Sequence, residues 1–271
     1  MEYNSLSLNK SQLAYLDPAP DQSKSVLLLH GLGSEAASWE LQMGALLQAG
    51  FRPIAVDLPG FGRSKFYGER WSIQTVAVIL KDFVDAMNLN SIHIAGISMG
   101  GVVALDFSIR FSGIIDKLVL INTFASLRPR SINQGLYLLR RLIKAQLFGY
   151  QSQAEDVASR IFPKPDQEIF RKMLIDQIHK ADADVYRAAM RCLGLYNARN
   201  KLKDIHVPTL VISGENDTTV SLKEQKELAK GIPAAIHEII PNAGHAVIID
   251  QPERVNQLIV NFLLSKDHFF S

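Results

Sequence analysis

Apolar residues fall in short unbroken runs along most of the chain, and each run ends in a polar or glycine-containing loop. Residues 26–29 lead into His30-Gly31-Leu32-Gly33, residues 51–56 into Asp57-Leu58-Pro59-Gly60-Phe61-Gly62, and residues 92–97 into a turn at Ser98. Further runs at 117–121, 208–212 and 236–240 stop at Asn122, Gly214 and Pro241-Asn242-Ala243-Gly244. Continuous runs of this length suit strands covered on both faces. Between them, helical patterns span 39–48, 73–87, 101–111, 221–230 and 252–264. Strands that alternate with helices predict a parallel sheet with helices on both sides. Segment 6–16 has no helix before the next run, which predicts an antiparallel hairpin at the sheet edge.

The alternation stops between Thr123 and Asp204. Helical patterns fill that interval at 132–148, 154–161, 166–180 and 184–199, with Pro129, Pro163 and Pro165 at the joints. This predicts a core domain made of residues 1–122 and 204–271, and a helical cap inserted at 123–203.

Composition changes the picture in three ways. With 271 residues and 47% hydrophobic content, the chain can bury one large core. Its net charge of +2 gives no global argument for nucleic acid, and no stretch is long enough to cross a membrane. The single cysteine, Cys192, excludes an internal disulfide, and residues 1–16 lack a continuous apolar leader. A soluble cytoplasmic protein is the expectation. Charge is uneven, however: residues 126–203 hold 15 Lys/Arg and 7 Asp/Glu, a balance of +8 that leaves −6 for the remainder. That basic segment is either a solvated outer face or an attraction for an anionic substrate.

The candidate chemistry begins at Gly96-Ile97-Ser98-Met99-Gly100. A serine on a sharp strand-to-helix turn stands proud of the backbone, and its neighbours must be small to avoid the turn. Such a hydroxyl needs a base, and the base needs an acid to hold its tautomer. Loops after the later strands supply both: Asp217 in Gly214-Glu215-Asn216-Asp217 and His245 in Gly244-His245. Glu215 is the competing acid, closer to the strand end. His93, His237, His179 and His206 read as packed or solvated, and His30 as a brace for its loop. The oxyanion of an attacked carbonyl needs backbone donors, for which the amides of Leu32 and Met99 are the candidates. Trp39 either borders the pocket or packs in the core. Leu136, Leu139, Leu142 and Ile143, spaced along one helix face, either line the pocket or pack the cap onto the sheet.

Taken together, His30-Gly31-Leu32-Gly33, Asp57 through Ser64, Gly96 through Gly101, Gly214 through Asp217 and Gly244-His245 resemble the α/β-hydrolase family over essentially the whole chain. The resemblance implies an eight-stranded, mostly parallel sheet, a helical lid inserted near Thr123, a Ser98–His245–Asp217 triad and no cofactor. Its esterase branch is suggested by Asp57-Leu58-Pro59-Gly60-Phe61-Gly62-Arg63-Ser64. The implied activity is hydrolysis of a small or medium carboxylic ester or thioester, possible substrates including anionic or carrier-linked acyl groups. Meta-cleavage C–C hydrolases share Ser98-Met99-Gly100-Gly101 but usually carry Asn and Trp where this chain has Ile97 and Ala246. Lactone hydrolysis and a non-enzymatic receptor on the same fold are the remaining alternatives.

Overall fold

The computed structural model describes residues 1–127, 154–233 and 235–265. Two antiparallel strands, β1 (Tyr3–Leu8) and β2 (Ser11–Leu16), open the chain as the expected hairpin. Then β3 (Ser25–Leu29), α1 (Glu40–Gln48), β4 (Arg52–Val56), the two-residue β5 (Lys65–Phe66), α2 (Ile73–Ala86), β6 (Ile92–Ile97), α3 (Met99–Arg110) and β7 (Ile115–Ile121) follow. The interval before the next strand contributes α4 (Ala154–Ile161), α5 (Glu168–Lys180) and α6 (Ala183–Leu195). The chain closes with β8 (Thr209–Gly214), α7 (Leu222–Gly231), β9 (Ile236–Ile240), α8 (Val247–Asp250) and α9 (Pro252–Leu264).

The strands lie in the order β1-β2-β4-β3-β6-β7-β8-β9, parallel from β4 onward, with β5 paired to β2. The period of two within each buried run divides its side chains between two cores. Leu27, Leu29, Ile94, Leu118 and Leu120 join the cluster under α2 and α3. Val26, Leu28, Ala95, Val119 and Ile121 join the cluster under α1 and α9. The sheet is therefore mostly parallel, with helices on both faces. Two elements escape the sequence pattern, β5 and α8, because two and four residues are too short to show a period. Helix α3 starts at Met99, two residues before its apolar pattern, because the turn at Ser98 feeds straight into it.

The topology also positions the site. From β3 the chain steps outward to β4 and later returns to the other side of β3 at β6. Such a reversal opens a crevice at the carboxyl ends of the strands. Gly31 follows β3 and Ser98 follows β6, so both loops border that crevice. The predicted stripe at Leu136, Leu139, Leu142 and Ile143 lies outside the described residues.

Candidate active site

Ser98 joins β6 to α3 with φ 54° and ψ −117°. The turn is held from behind: the Ser98 amide donates to the Ile121 carbonyl at 3.0 Å, and Thr123 Oγ1 donates to the Ser98 carbonyl at 2.7 Å. A Cβ on Gly100 would lie 2.1 Å from the Leu29 carbonyl oxygen, so helix and β3 approach more closely than any side chain permits.

The structure brings the three predicted side chains together. His245 Nε2 is 3.1 Å from Ser98 Oγ, and His245 Nδ1 is 2.9 Å from Asp217 Oδ2. Asp217 Oδ1 accepts from the amides of Thr219 at 2.8 Å and Val220 at 2.9 Å, and Gln225 Nε2 donates to Oδ2 at 3.1 Å. With the carboxylate accepting throughout, His245 Nδ1 carries the proton and Nε2 is left to accept from the serine hydroxyl. Asp217 and His245 are both buried. Glu215 is exposed and its carboxylate accepts from the Asn242 amide at 3.2 Å, pointing it away from this relay.

The other histidines stand apart from Ser98. His30 is fully buried; its Nδ1 donates to the Gly31 carbonyl at 2.7 Å and its Nε2 accepts from the Leu58 amide at 2.9 Å. Burial pushes its pKa down to about 4. It ties the Gly31 loop to the Asp57 loop, as a brace would. Asp57 continues that bracing, accepting from the amides of Ala36 at 2.6 Å and Arg63 at 2.7 Å, and burial raises its carboxyl above the usual range. His237 bonds Ser213 Oγ at 2.8 Å, His93 packs edge-on against Phe51, and His179 and His206 are exposed.

Ser98 and His245 open onto a cavity of about 1180 Å³. Gly31 and Leu32 border it from the β3 loop; Ile161, Phe162, Phe170, Met173, Leu174, Met190 and Leu193 wall it from α4, α5, α6 and the residue after α4. Its charged lining is mixed, holding Arg160 and Arg191 together with Glu40, Asp217 and Glu224. Met99, the other candidate amide donor, is the first residue of α3, where amides lack intrahelical partners. Trp39 is a correction to the sequence reading. It is 0% exposed and shares a buried cluster with Leu28, Met43 and Phe51, because the turn before α1 presses its large ring onto the sheet.

Three polar residues that the sequence reading passed over complete the site. Asn122 Nδ2 donates to the carbonyls of Gly244 at 2.9 Å and His245 at 2.7 Å, while its Oδ1 accepts from the Gly214 amide at 2.7 Å. Thr123 and Gln225 are the other two. Only Gln225 carried a sequence signal, as a polar residue on the helix face that holds Leu222 and Leu228; Asn122 and Thr123 follow the end of an apolar run and read as ordinary loop residues. Among the described residues no His, Cys, Asp or Glu side chains converge to hold a metal, and no helix is long and apolar enough to cross a membrane.

Residues 26–258 match the model of the alpha/beta hydrolase family. The chain is 28% identical over 257 residues to the putative carbamate hydrolase RutD of Variovorax paradoxus, covering 93% of this chain and 96% of that one. It is 25% identical over 249 residues to 3-oxoadipate enol-lactonase 1 of Acinetobacter baylyi, covering 91% of each. The solved structure of a thermophilic esterase from Thermogutta terrifontis, with malate bound, superposes with a TM-score of 0.83 at 27% identity, over 97% of this chain and 98% of that one. Matched along most of its length by that family's model, the chain belongs to the alpha/beta hydrolase family.

Proposed function

We propose that this protein is a serine hydrolase that cleaves a carboxylic ester or thioester of a small to medium acyl compound. The observation that carries the reading is the unbroken hydrogen-bond relay from Ser98 through His245 to Asp217 at the floor of an apolar cavity. Ser98 Oγ attacks the carbonyl carbon while His245 Nε2 takes its proton, and Asp217 stabilises the imidazolium that forms. The amides of Leu32 and Met99 receive the oxyanion, each worth about 3 kcal/mol in comparable sites. His245 then protonates the leaving group, and water enters by the same base to release the acid. Within the insertion, α4, α5 and α6 act as the cap over the acyl pocket and keep water from it.

Lactone opening is the second reading, favoured by the likeness to the enol-lactonase; it needs the same groups, with the leaving alcohol still tethered to the acyl carbon. The deciding experiment is hydrolysis of p-nitrophenyl acetate, butyrate and octanoate by the wild type and by Ser98→Ala. Turnover on at least one ester is expected, with kcat lowered on the order of 10⁴-fold or more in the variant. A chain-length optimum would size the acyl pocket. No serine-dependent turnover on any of the three would overturn the ester reading in favour of a lactone, a C–C bond or a receptor role.

A further inference from the structure

Helix α5 is fastened at both ends, to the loop after β3 and to the end of α8, segments that border the cavity. At its C-terminal end Gln177 Nε2 donates to Glu35 Oε1 at 3.2 Å, and a Cβ on Gly33 would lie 2.8 Å from Ile178 Cγ1. Just before its N-terminal end, the buried Gln167 donates from Nε2 to Asp250 Oδ1 at 2.5 Å. The other oxygen of that carboxylate, Oδ2, accepts from the Gly244 amide at 2.6 Å. Gly244 precedes His245, and its carbonyl is already held by Asn122. The Gln167 side chain is itself fixed, since its Oε1 accepts from the Lys164 amide at 3.1 Å. Between these two fastenings, Phe170, Met173 and Leu174 of α5 face the cavity.

We propose that Asp250 is a positioning residue for His245, and that Gln167 shares its carboxylate so that the seating of α5 sets where the base stands. The inference rests on the hydrolase reading for its kinetic test. One oxygen pins the Ala243–Gly244 peptide just ahead of the histidine and the other pins the insertion, so neither the histidine loop nor α5 shifts without disturbing the other. A substrate pressing on Phe170, Met173 and Leu174 thereby acts on the aim of His245 at Ser98.

The test exploits the direction of the two hydrogen bonds. Asp250→Asn retains a single acceptor, so Gly244 and Gln167 cannot both be satisfied. Gln167→Glu sets two carboxylates against each other. Each variant is expected to lower kcat on the best p-nitrophenyl ester about tenfold, the worth of one charge-assisted hydrogen bond, with KM little changed. The double variant Gln167→Glu/Asp250→Asn reverses the polarity: the asparagine carbonyl accepts from Gly244 and its NH₂ donates to the glutamate. It should recover kcat to within about threefold of the wild type, a coupling that independent sites would not show.

A second readout does not depend on turnover. The downfield proton resonance of His245 Nδ1–H should broaden in both single variants and sharpen again in the double variant. Changes confined to KM or thermal stability, or no recovery in the double variant, overturn the proposal. A proton signal that follows this pattern in a chain that hydrolyses none of the esters upholds the coupling and removes the ester reading. If Asp250→Asn fails to fold, Gln167→Ala carries the test, with a loss of about threefold in kcat and the same broadening expected.

Discussion

Ser98 holds φ 54° and ψ −117°, a backbone region that costs a residue bearing a Cβ about 1–3 kcal/mol. The surrounding structure maintains the strain through the Ile121 carbonyl, Thr123 and the Gly100–Leu29 contact. The strain holds the serine oxygen clear of the backbone and within reach of His245. It follows that Ser98→Gly should be more stable than Ser98→Ala by about 1 kcal/mol. Relief of the Cβ clash exceeds the added entropy of an unfolded glycine, about 0.5–1 kcal/mol. Urea unfolding of the two inactive variants measures the difference; a glycine variant no more stable than the alanine one would mean that the turn is relaxed.

At the scale of elements, the relay depends on the loops after β6, β8 and β9 keeping one register around the end of β7, which lies between β6 and β8. Asn122 provides it: from the end of β7 it bonds the last residue of β8 and the two residues that end in the base. The side chain is 0% exposed, so each lost partner is left unsatisfied in the interior. Asn122→Ala should destabilise the fold by about 2–4 kcal/mol and lower kcat more than it raises KM. Asn122→Asp, nearly identical in shape, should be at least as damaging at about pH 8, because its carboxylate would face the Gly244 and His245 carbonyls. Unfolding curves for both variants decide the matter, and an aspartate variant as stable as the wild type would show that the donor is dispensable.

For the whole molecule, acid stability turns on a histidine outside the relay. His30 has a folded pKa of about 4 against 6.5 in the unfolded chain. Between those values the unfolded chain binds a proton that the folded chain refuses, so stability falls as pH drops through that window. The loss is at most about 3 kcal/mol. Asp57 acts in the opposite sense: burial raises its pKa, and the folded chain takes up that proton first as pH falls. A His30→Gln variant, stable enough to measure, should therefore show a flatter decline in unfolding free energy from about pH 7 to about pH 4.5 than the wild type. Parallel curves would assign the acid sensitivity elsewhere.

How much of this was legible in the chain follows from what local patterns encode. A continuous apolar run reports that both faces are covered, and its period of two fixes which residues enter which core; the strands and the flanking helices came from that. The chain order of Ser98, Asp217 and His245 was equally local, because each follows an apolar strand on its own loop. The geometry behind a choice between near neighbours was not, even where the chosen residue, Asp217, was the one the structure brings to His245. Glu215 and Asp217 stand two residues apart, and only the path of the loop turns one outward to Asn242 and the other inward to His245. Trp39 reads as pocket or core with equal ease until α1 is docked on the sheet. Asn122 with Gly214, Asp250 with Gln167 and Gln225 with Asp217 are polar pairs brought together by strand order and by the inserted helices. Sequence alone determined which residues bury and which loops carry the chemistry, since these depend on periodicity and neighbours. The tertiary structure decided which polar groups meet, because a hydrogen bond is set within a fraction of an ångström by elements far apart in the chain.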